Sequence, residues 1–172
     1  LDGHFSTSQV IECLHNYKVT NISLPCSSLR SVMETSHPDI DKLSVRAIMT
    51  TGEHPSSQVH NWCESALGLT PNHVYGQTEV PYVVGHSHIR WPARPGSMGK
   101  PYPGHLVSVL GHDGRPCPVG TIGEIAINRY DIHGFPDPVL FLNYWQDETS
   151  TQQRFLRDWY LTGDHASIDR DG

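Results

Sequence analysis

The chain has 172 residues, of which 37% are hydrophobic and 17% charged, and its formal net charge is −6 at pH 7. That length suits one large domain or two small ones, and the composition excludes a disordered chain. No apolar run approaches the roughly 20 residues of a membrane helix, and the first residues do not resemble a signal peptide. Since twelve Lys and Arg face eighteen Asp and Glu without a basic cluster, we predict a soluble protein that binds neither nucleic acid nor an anionic membrane.

The cysteine pattern excludes two kinds of site. Cys13, Cys26, Cys63 and Cys117 stand singly, with no C-x-x-C pair, so the sequence contains neither a zinc knuckle nor a redox motif. The first three fall in predicted helices, where a free cysteine packs as a small hydrophobe. We therefore expect a reducing, cytoplasmic setting.

The first 75 residues alternate between helices and strands. Ser6, followed three residues later by Gln9, predicts a capping box for a helix that runs to about Tyr17. The next predicted elements are a strand at 19–24, a helix around 29–33, a strand at 43–49, a helix at 59–67 closed by Gly68, and a short strand at 74–75. This alternation predicts an α/β unit with a parallel sheet and crossover helices.

The composition changes after about Pro81, and residues 92–123 are rich in Pro and Gly. Strands are predicted at 106–110 and 123–127, with a turn at 112–115 between them. A further strand is predicted at 159–162, followed by a turn at Gly163. Only 147–155 has a helical pattern in this half. The fold class is therefore α/β followed by antiparallel β, with subdomains at 1–92 and 93–172.

Polar residues follow two of the predicted parallel strands. Tyr75-Gly76-Gln77-Thr78-Glu79 lies where open α/β sheets bind ligands: the glycine allows close backbone approach, the threonine offers a hydroxyl to a phosphate, and the glutamate is a hard oxygen donor for Mg²⁺. On the motif alone, an ordinary strand-to-loop turn is an equal alternative. The string 50–55 closes the preceding strand beside the same crevice.

A third string presents an acid after a glycine. Asp164 follows Gly163, and one carboxylate can accept two hydrogen bonds from the vicinal hydroxyls of a ribose. The alternative for Asp164 is a turn or capping residue, and for Glu53 it is a loop charge.

These strings, in this order, resemble the motifs of AMP-forming acyl-CoA synthetases of the adenylate-forming superfamily, and the resemblance covers nearly the whole chain. The matching strings are Gly52-Glu53-His54, where the family usually has Gly-Glu-Pro, Tyr75-Gly76-Gln77-Thr78-Glu79, Tyr160-Leu161-Thr162-Gly163-Asp164, and Pro95-Gly96-Ser97-Met98-Gly99-Lys100-Pro101, which resembles the linker into the family's distorted β-barrel. Two further strings, Gly123-Glu124-Ile125 and Phe141-Leu142-Asn143-Tyr144-Trp145, are also similar to family sequences.

The resemblance implies a role for each matching residue. The nucleotide-binding residues would be Gly52, Glu53, His54, Tyr75, Gly76, Gln77, Thr78 and Asp164. Thr51 and Gly76 would line the acyl pocket. Thr78 and Glu79 would be the catalytic residues, and Glu79 would also bind Mg²⁺. Within that set Thr78 would touch the α-phosphate and Asp164 the ribose hydroxyls.

The implied reaction uses ATP, Mg²⁺ and coenzyme A. A carboxylate attacks the α-phosphate of ATP to give an acyl-adenylate, and the thiol of CoA then displaces AMP. Acetyl-specific members carry Trp where this chain has Gly76, so we expect a medium-chain or aromatic acid rather than acetate.

Two family features do not occur in this sequence: a Ser/Thr/Gly-rich phosphate loop ending in Lys, and a C-terminal domain bearing a further Lys. We expect the chain to be part of a longer enzyme, with N-terminal and C-terminal parts missing, and to be inactive alone. The alternative is a non-catalytic nucleotide-binding or interaction module.

Two residue types invite other readings. His86 and His88 could form half of a zinc site, but no further ligand stands at a typical spacing, which favours surface histidines. The four tryptophans are predicted to anchor the core or a subdomain interface, and they are Trp62, Trp91, Trp145 and Trp159.

Overall fold

Helices alternate with parallel strands in the first of two units, which comprises Leu1–Tyr75 and Gly85–Gly99. The computed structural model describes residues 6–35, 40–53, 56–91, 94 and 96–172. The elements of this unit are α1 (Thr7–Asn16), β1 (Asn21–Pro25), α2 (Cys26–Glu34), a 3-10 turn (Ile40–Lys42), β2 (Ala47–Thr51), α3 (Ser57–Leu67) and most of β3 (Asn72–Gln77). The last two residues of β3, Gly76 and Gln77, belong to the second unit. β1 pairs with β2, and β2 with β3, both in parallel. This confirms the predicted α/β unit.

The core of the first unit lies between the sheet and the helices. Leu29, Ile48, Val59 and Cys63 are buried together there. α3 is held at both ends: the Ser56 hydroxyl accepts a hydrogen bond from the backbone of the first turn, and Gly68 closes the helix in the left-handed region with φ 65°. By contrast, Ser6 precedes α1 but its side chain makes no capping hydrogen bond, so the predicted capping box is wrong.

Antiparallel strands dominate the second unit, which comprises Gly76–Val84 and Lys100–Gly172. Its elements are β4 (Val80–Gly85), β5 (Lys100–Pro101), β6 (Val107–Leu110), β7 (Gly123–Asn128), α4 (Glu148–Gln153), β8 (Phe155–Leu156) and β9 (Trp159–Ala166). The last four strands form an antiparallel sheet in the order β6-β7-β9-β8. The predicted antiparallel β fold is confirmed, whereas the boundary at residues 92 and 93 stays a prediction.

Four strands of the second unit differ from expectation. β4, β5 and β8 were not predicted, because Pro81 interrupts the apolar run of β4 and the other two strands have only two residues each. β9 continues to Ala166 instead of ending at Thr162.

In the described part of the chain, every helix is too short or too polar to cross a bilayer.

Candidate active site

A bulge interrupts the pairing of β7 with β9. Glu124 and Ala126 of β7 pair with His165 and Leu161 of β9, so three residues of β9, 162–164, face a single residue of β7. The sequence predicted a turn at this point, and the structure instead shows a bulge inside a continuous strand. Bulges bend a strand and redirect its side chains, and they are frequent beside functional sites.

Side chains satisfy the backbone groups that the bulge takes out of the ladder. The buried Thr162 hydroxyl donates to the Ile125 carbonyl at 2.9 Å and accepts from the Asp164 amide at 3.1 Å. The Gly163 amide, at a residue with φ 81°, donates to Glu124 Oε1 at 2.8 Å. Because an unpaired amide within a strand is costly, these bonds stabilise the bulge. The result is an exposed Asp164 on a defined backbone.

Gln77, the last residue of β3, contacts the same bulge. Its Nε2 donates to the Thr162 carbonyl at 2.9 Å and to Asp164 Oδ2 at 2.8 Å. Its Oε1 accepts from the hydroxyl of Tyr160, a fully buried residue, at 2.9 Å. Two of the residues that the resemblance assigns to nucleotide binding are therefore in direct contact, although the sequence separates them by 87 positions.

Glu79 has a partner of its own in the second unit. The Tyr144 hydroxyl donates to Glu79 Oε1 at 2.6 Å, and the Phe141 amide donates to the Glu79 carbonyl at 2.7 Å. The hydrogen bond to the Glu79 carboxylate is the main cause of the raised pKa of Tyr144, which stays a donor at neutral pH. Both the carboxylate and the backbone of Glu79 are thereby oriented.

The turn between β3 and β4 holds the remaining residues of that motif. Thr78 is exposed there, so its hydroxyl is accessible to a ligand oxygen. Gly76 is required by a close approach: a Cβ atom at this position would lie 2.3 Å from the Tyr82 nitrogen and 2.7 Å from the Val80 carbonyl oxygen. The hairpin backbone thus explains the glycine, and its role in an acyl pocket stays a prediction.

The residues that the sequence assigns to the first unit follow β2 and lie in β3. Thr51 ends β2, and Gly52 follows it with φ 81° and an exposed surface. Glu53 forms an exposed ion pair with Arg30 at 3.3 Å, which contributes at most about 1 kcal/mol. Tyr75 is half-buried in β3. The fourth residue of that first string, His54, lies outside the described residues.

The model of the AMP-binding enzyme family matches residues 2–133. The chain belongs to the AMP-binding enzyme family. Among curated relatives, the chain is 29% identical over 171 residues to the uncharacterized acyl-CoA ligase YtcI of Bacillus subtilis strain 168, an alignment that covers 99% of this chain and 31% of that protein. The resemblance stated from the sequence is confirmed at the level of the family.

Two solved structures of acyl-CoA synthetases support the fold. The Brucella canis acyl-CoA synthetase superposes with a TM-score of 0.83 at 26% identity, over 99% of this chain and 31% of its own. The O-succinylbenzoate coenzyme A synthetase of Bacillus subtilis, solved with ATP and magnesium ion, gives a TM-score of 0.80 at 26% identity, over 98% and 33%. The chain spans about a third of the length of these relatives.

The Glu79 carboxylate has the chemistry of a magnesium ligand. Mg²⁺ is usually held by one or two carboxylates together with substrate phosphates and water, and rarely by a cage of protein ligands. Glu79 supplies one carboxylate whose Oε1 is already oriented by Tyr144. Within the ranges that the structure describes, no group of three His, Cys, Asp or Glu side chains could hold a metal ion on its own.

Sequence reasoning missed the residues that orient the predicted ones. Tyr144, Glu124 and Thr162 contact Glu79, Gly163 and Asp164, but none of the three was assigned a role. The available signal was that all three residues lie in strings similar to family motifs. The order of motifs along a chain does not reveal which side chains meet.

The histidine and tryptophan predictions had mixed outcomes. His86 is buried, so the expectation of a surface histidine is wrong for this residue, whereas His88 is exposed. Trp145 is 86% exposed, and the expectation of a core position is wrong for this residue. Trp62, in contrast, packs against the core of the first unit.

Proposed function

We propose that the chain forms the nucleotide-binding part of an AMP-forming acyl-CoA synthetase, which activates a carboxylic acid with ATP and transfers the acyl group to CoA. The observation that carries the proposal is the Asp164 carboxylate, exposed on a stabilised bulge and held by Gln77. The printed names of the relatives support the same class of reaction, since they are acyl-CoA ligases and synthetases.

The second unit would bind the ribose and phosphates. Asp164 would accept hydrogen bonds from the two ribose hydroxyls, as acidic residues do in other nucleotide sites. The exposed Thr78 hydroxyl would donate to an α-phosphate oxygen. Glu79, oriented by Tyr144, would hold Mg²⁺, which when bound neutralises negative charge on the phosphates.

The adenine and part of the acyl group would be bound by residues at the ends of β2 and β3. Gly52, Glu53, His54 and the backbone of Tyr75 and Gly76 would border the base, and Thr51 with Gly76 would line the acyl pocket. Since position 76 carries no indole, the acid would be larger than acetate, of the medium-chain or aromatic class. These assignments rest on the motif-by-motif resemblance.

The chemistry needs orientation and charge stabilisation more than covalent help from the protein. An oxygen of the substrate carboxylate attacks the α-phosphorus, and pyrophosphate leaves. The sulfur of CoA then attacks the acyl carbonyl carbon, and AMP leaves. In both steps Asp164 would keep the ribose fixed while Thr78 donates to an oxygen of the reacting phosphate.

Calorimetry with AMP and 2′,3′-dideoxy-AMP tests this proposal on the 172-residue chain. Hydrogen bonds to a charged group contribute about 1.5–3 kcal/mol, so wild type should bind AMP at least about tenfold more tightly than the dideoxy analogue. Asp164→Ala should abolish that preference. The matched control is Asp158→Ala, an exposed acid beside β9 that pairs with Arg129 and should leave binding unchanged. Absence of AMP binding by wild type, or equal binding of both nucleotides, would contradict the proposal.

Acyl-adenylate analogues test the substrate class. Each buried methylene contributes about 0.8 kcal/mol, so a hexanoyl-adenylate analogue should compete with AMP at least about tenfold better than the acetyl form. Tighter binding of the acetyl form would contradict the proposed substrate. We expect no ATP–pyrophosphate exchange by the chain alone, because its sequence contains no Ser/Thr/Gly-rich loop ending in Lys. A cytoplasmic location stays a prediction.

A further inference from the structure

We propose that Gln77 is a positioning residue, which fixes the Asp164 carboxylate for the ribose and makes no contact with the nucleotide itself. This inference rests on the proposed function, and it revises the role that the resemblance assigned to Gln77. Its basis is the way in which the amide group of Gln77 is already used within the protein.

The amide of Gln77 has little hydrogen-bonding capacity left for a ligand. A glutamine offers two N–H donors and an oxygen with two lone pairs. The two donors reach the Thr162 carbonyl at 2.9 Å and Asp164 Oδ2 at 2.8 Å, and the oxygen accepts from Tyr160 at 2.9 Å. For Gln77 to bind a nucleotide with its nitrogen, it would have to release the bulge.

Tyr160 contacts the oxygen side of the Gln77 amide. Its ring is fully buried and packs edge-on against Phe141 and Phe155, with ring centroids 5.5 Å and 5.7 Å away. Burial raises the pKa of Tyr160, so the hydroxyl stays protonated at neutral pH and donates to Gln77 Oε1. The Thr162 carbonyl and the Asp164 carboxylate on the other side of the amide accept hydrogen bonds, so the amide nitrogen must face the bulge and a flipped amide would place its oxygen against two acceptors.

The two groups that accept hydrogen bonds from Gln77 Nε2 belong to the first and last residues of the bulge, Thr162 and Asp164. Thr162 contributes a backbone carbonyl and Asp164 a side-chain oxygen, so a single nitrogen couples the backbone of the bulge to the orientation of the carboxylate. Asp164 is exposed, and an exposed carboxylate without such a bond samples several rotamers. Gln77 therefore limits where the carboxylate can point.

Gln77→Met tests the inference, because methionine has a similar volume and no donor. In the nucleotide-free protein, the amides of Gly163 and Asp164 should exchange with solvent at least about tenfold faster in this variant, measured by NMR. Tyr160→Phe keeps the ring packing and should also speed the exchange of these two amides, but by a smaller factor than Gln77→Met. The matched control is Gln153→Met, an exposed glutamine of α4, which should leave their exchange unchanged.

Nucleotide affinities separate positioning from direct contact. Gln77→Met should weaken AMP binding at least fivefold and leave 2′,3′-dideoxy-AMP within twofold of wild type, and it should have no further effect in an Asp164→Ala background. Equal weakening of both nucleotides, or an additive effect with Asp164→Ala, would show direct contact and overturn the inference. Unchanged amide exchange would also overturn it. If wild type itself does not prefer AMP, the proposed function fails, and the exchange measurement still decides whether Gln77 holds the bulge.

Discussion

Replacing His105 with alanine should markedly destabilise the second unit. His105 Nδ1 lies 2.7 Å from Asp137 Oδ2, and the Asp137 side chain is completely buried. Because an ionised carboxylate only accepts hydrogen bonds, Nδ1 carries the proton and donates. The other carboxylate oxygen accepts from the Val139 amide at 3.1 Å. His105→Ala would leave that buried oxygen, Oδ2, without its imidazole donor.

The loss of stability depends on the burial of Asp137 and on the hydrogen bonds that its carboxylate keeps in the variant. Leaving a buried acceptor without its hydrogen-bond donor costs about 1–3 kcal/mol. The Val139 bond stays, and His105 is itself 16% exposed, so water can partly replace the imidazole. We therefore expect the middle of that range, about 2 kcal/mol. For chains of this length that loss lowers the melting temperature by about 4–8 °C.

Differential scanning calorimetry at pH 7 measures this loss. His112→Ala is the matched control, since His112 is exposed in a turn and its replacement should change the melting temperature by less than about 2 °C. Adding Asp137→Asn to His105→Ala should recover part of the loss, because a neutral amide replaces the unpartnered charge. A His105→Ala protein that melts within 2 °C of wild type would refute the reasoning, and so would a double variant less stable than the single one.

Three further predictions concern thiol burial, backbone packing and helix capping. Burial raises the pKa of the Cys63 thiol to about 12, and it also raises the pKa of the Cys26 thiol. At pH 8 these two thiols should therefore react with a disulfide reagent only on unfolding, whereas the two half-buried cysteines should react in the native protein. Reaction of all four cysteines in the native protein would contradict this. Gly76→Ala should lower the stability measured by urea unfolding by about 1–3 kcal/mol, because backbone atoms occupy the space a Cβ needs, and an unchanged urea midpoint would argue against that clash. Ser56→Ala should cost about 1 kcal/mol through loss of the α3 cap, and Ser56→Gly only a few tenths, in the same assay; equal losses would exclude the capping explanation.

The periodic elements could be predicted from the sequence because local signals agreed with the fold. The apolar spacing that predicted α3 is the face that Val59 and Cys63 bury, and Gly68 ends the helix in the left-handed conformation that glycine favours. Strand β4 was missed because its proline is typical of a loop, although an edge or hairpin strand tolerates it. The end of β9 was misplaced because a glycine inside a strand gives the same local signal as a turn.

The candidate site was only partly predictable, for a different reason. The strings containing Gln77, Glu79 and Asp164 stand out by residue type and position. Their partners do not, because Tyr144 is 65 positions from Glu79, and Gln77 is 87 from Asp164. Such contacts depend on how the strands pair, which no periodicity encodes. Sequence patterns therefore identify candidate ligand-binding groups more readily than the groups that orient them.

The bulge in β9 has a consequence for the cost of binding. A carboxylate on a mobile loop must lose conformational freedom when a ligand arrives, and that loss subtracts from affinity. Asp164 stands instead on a strand that is paired with β7 on both sides of the bulge, at Leu161 and at His165. Much of the ordering of this acid therefore takes place when the sheet folds, and the protein presents it to a ligand already preorganised.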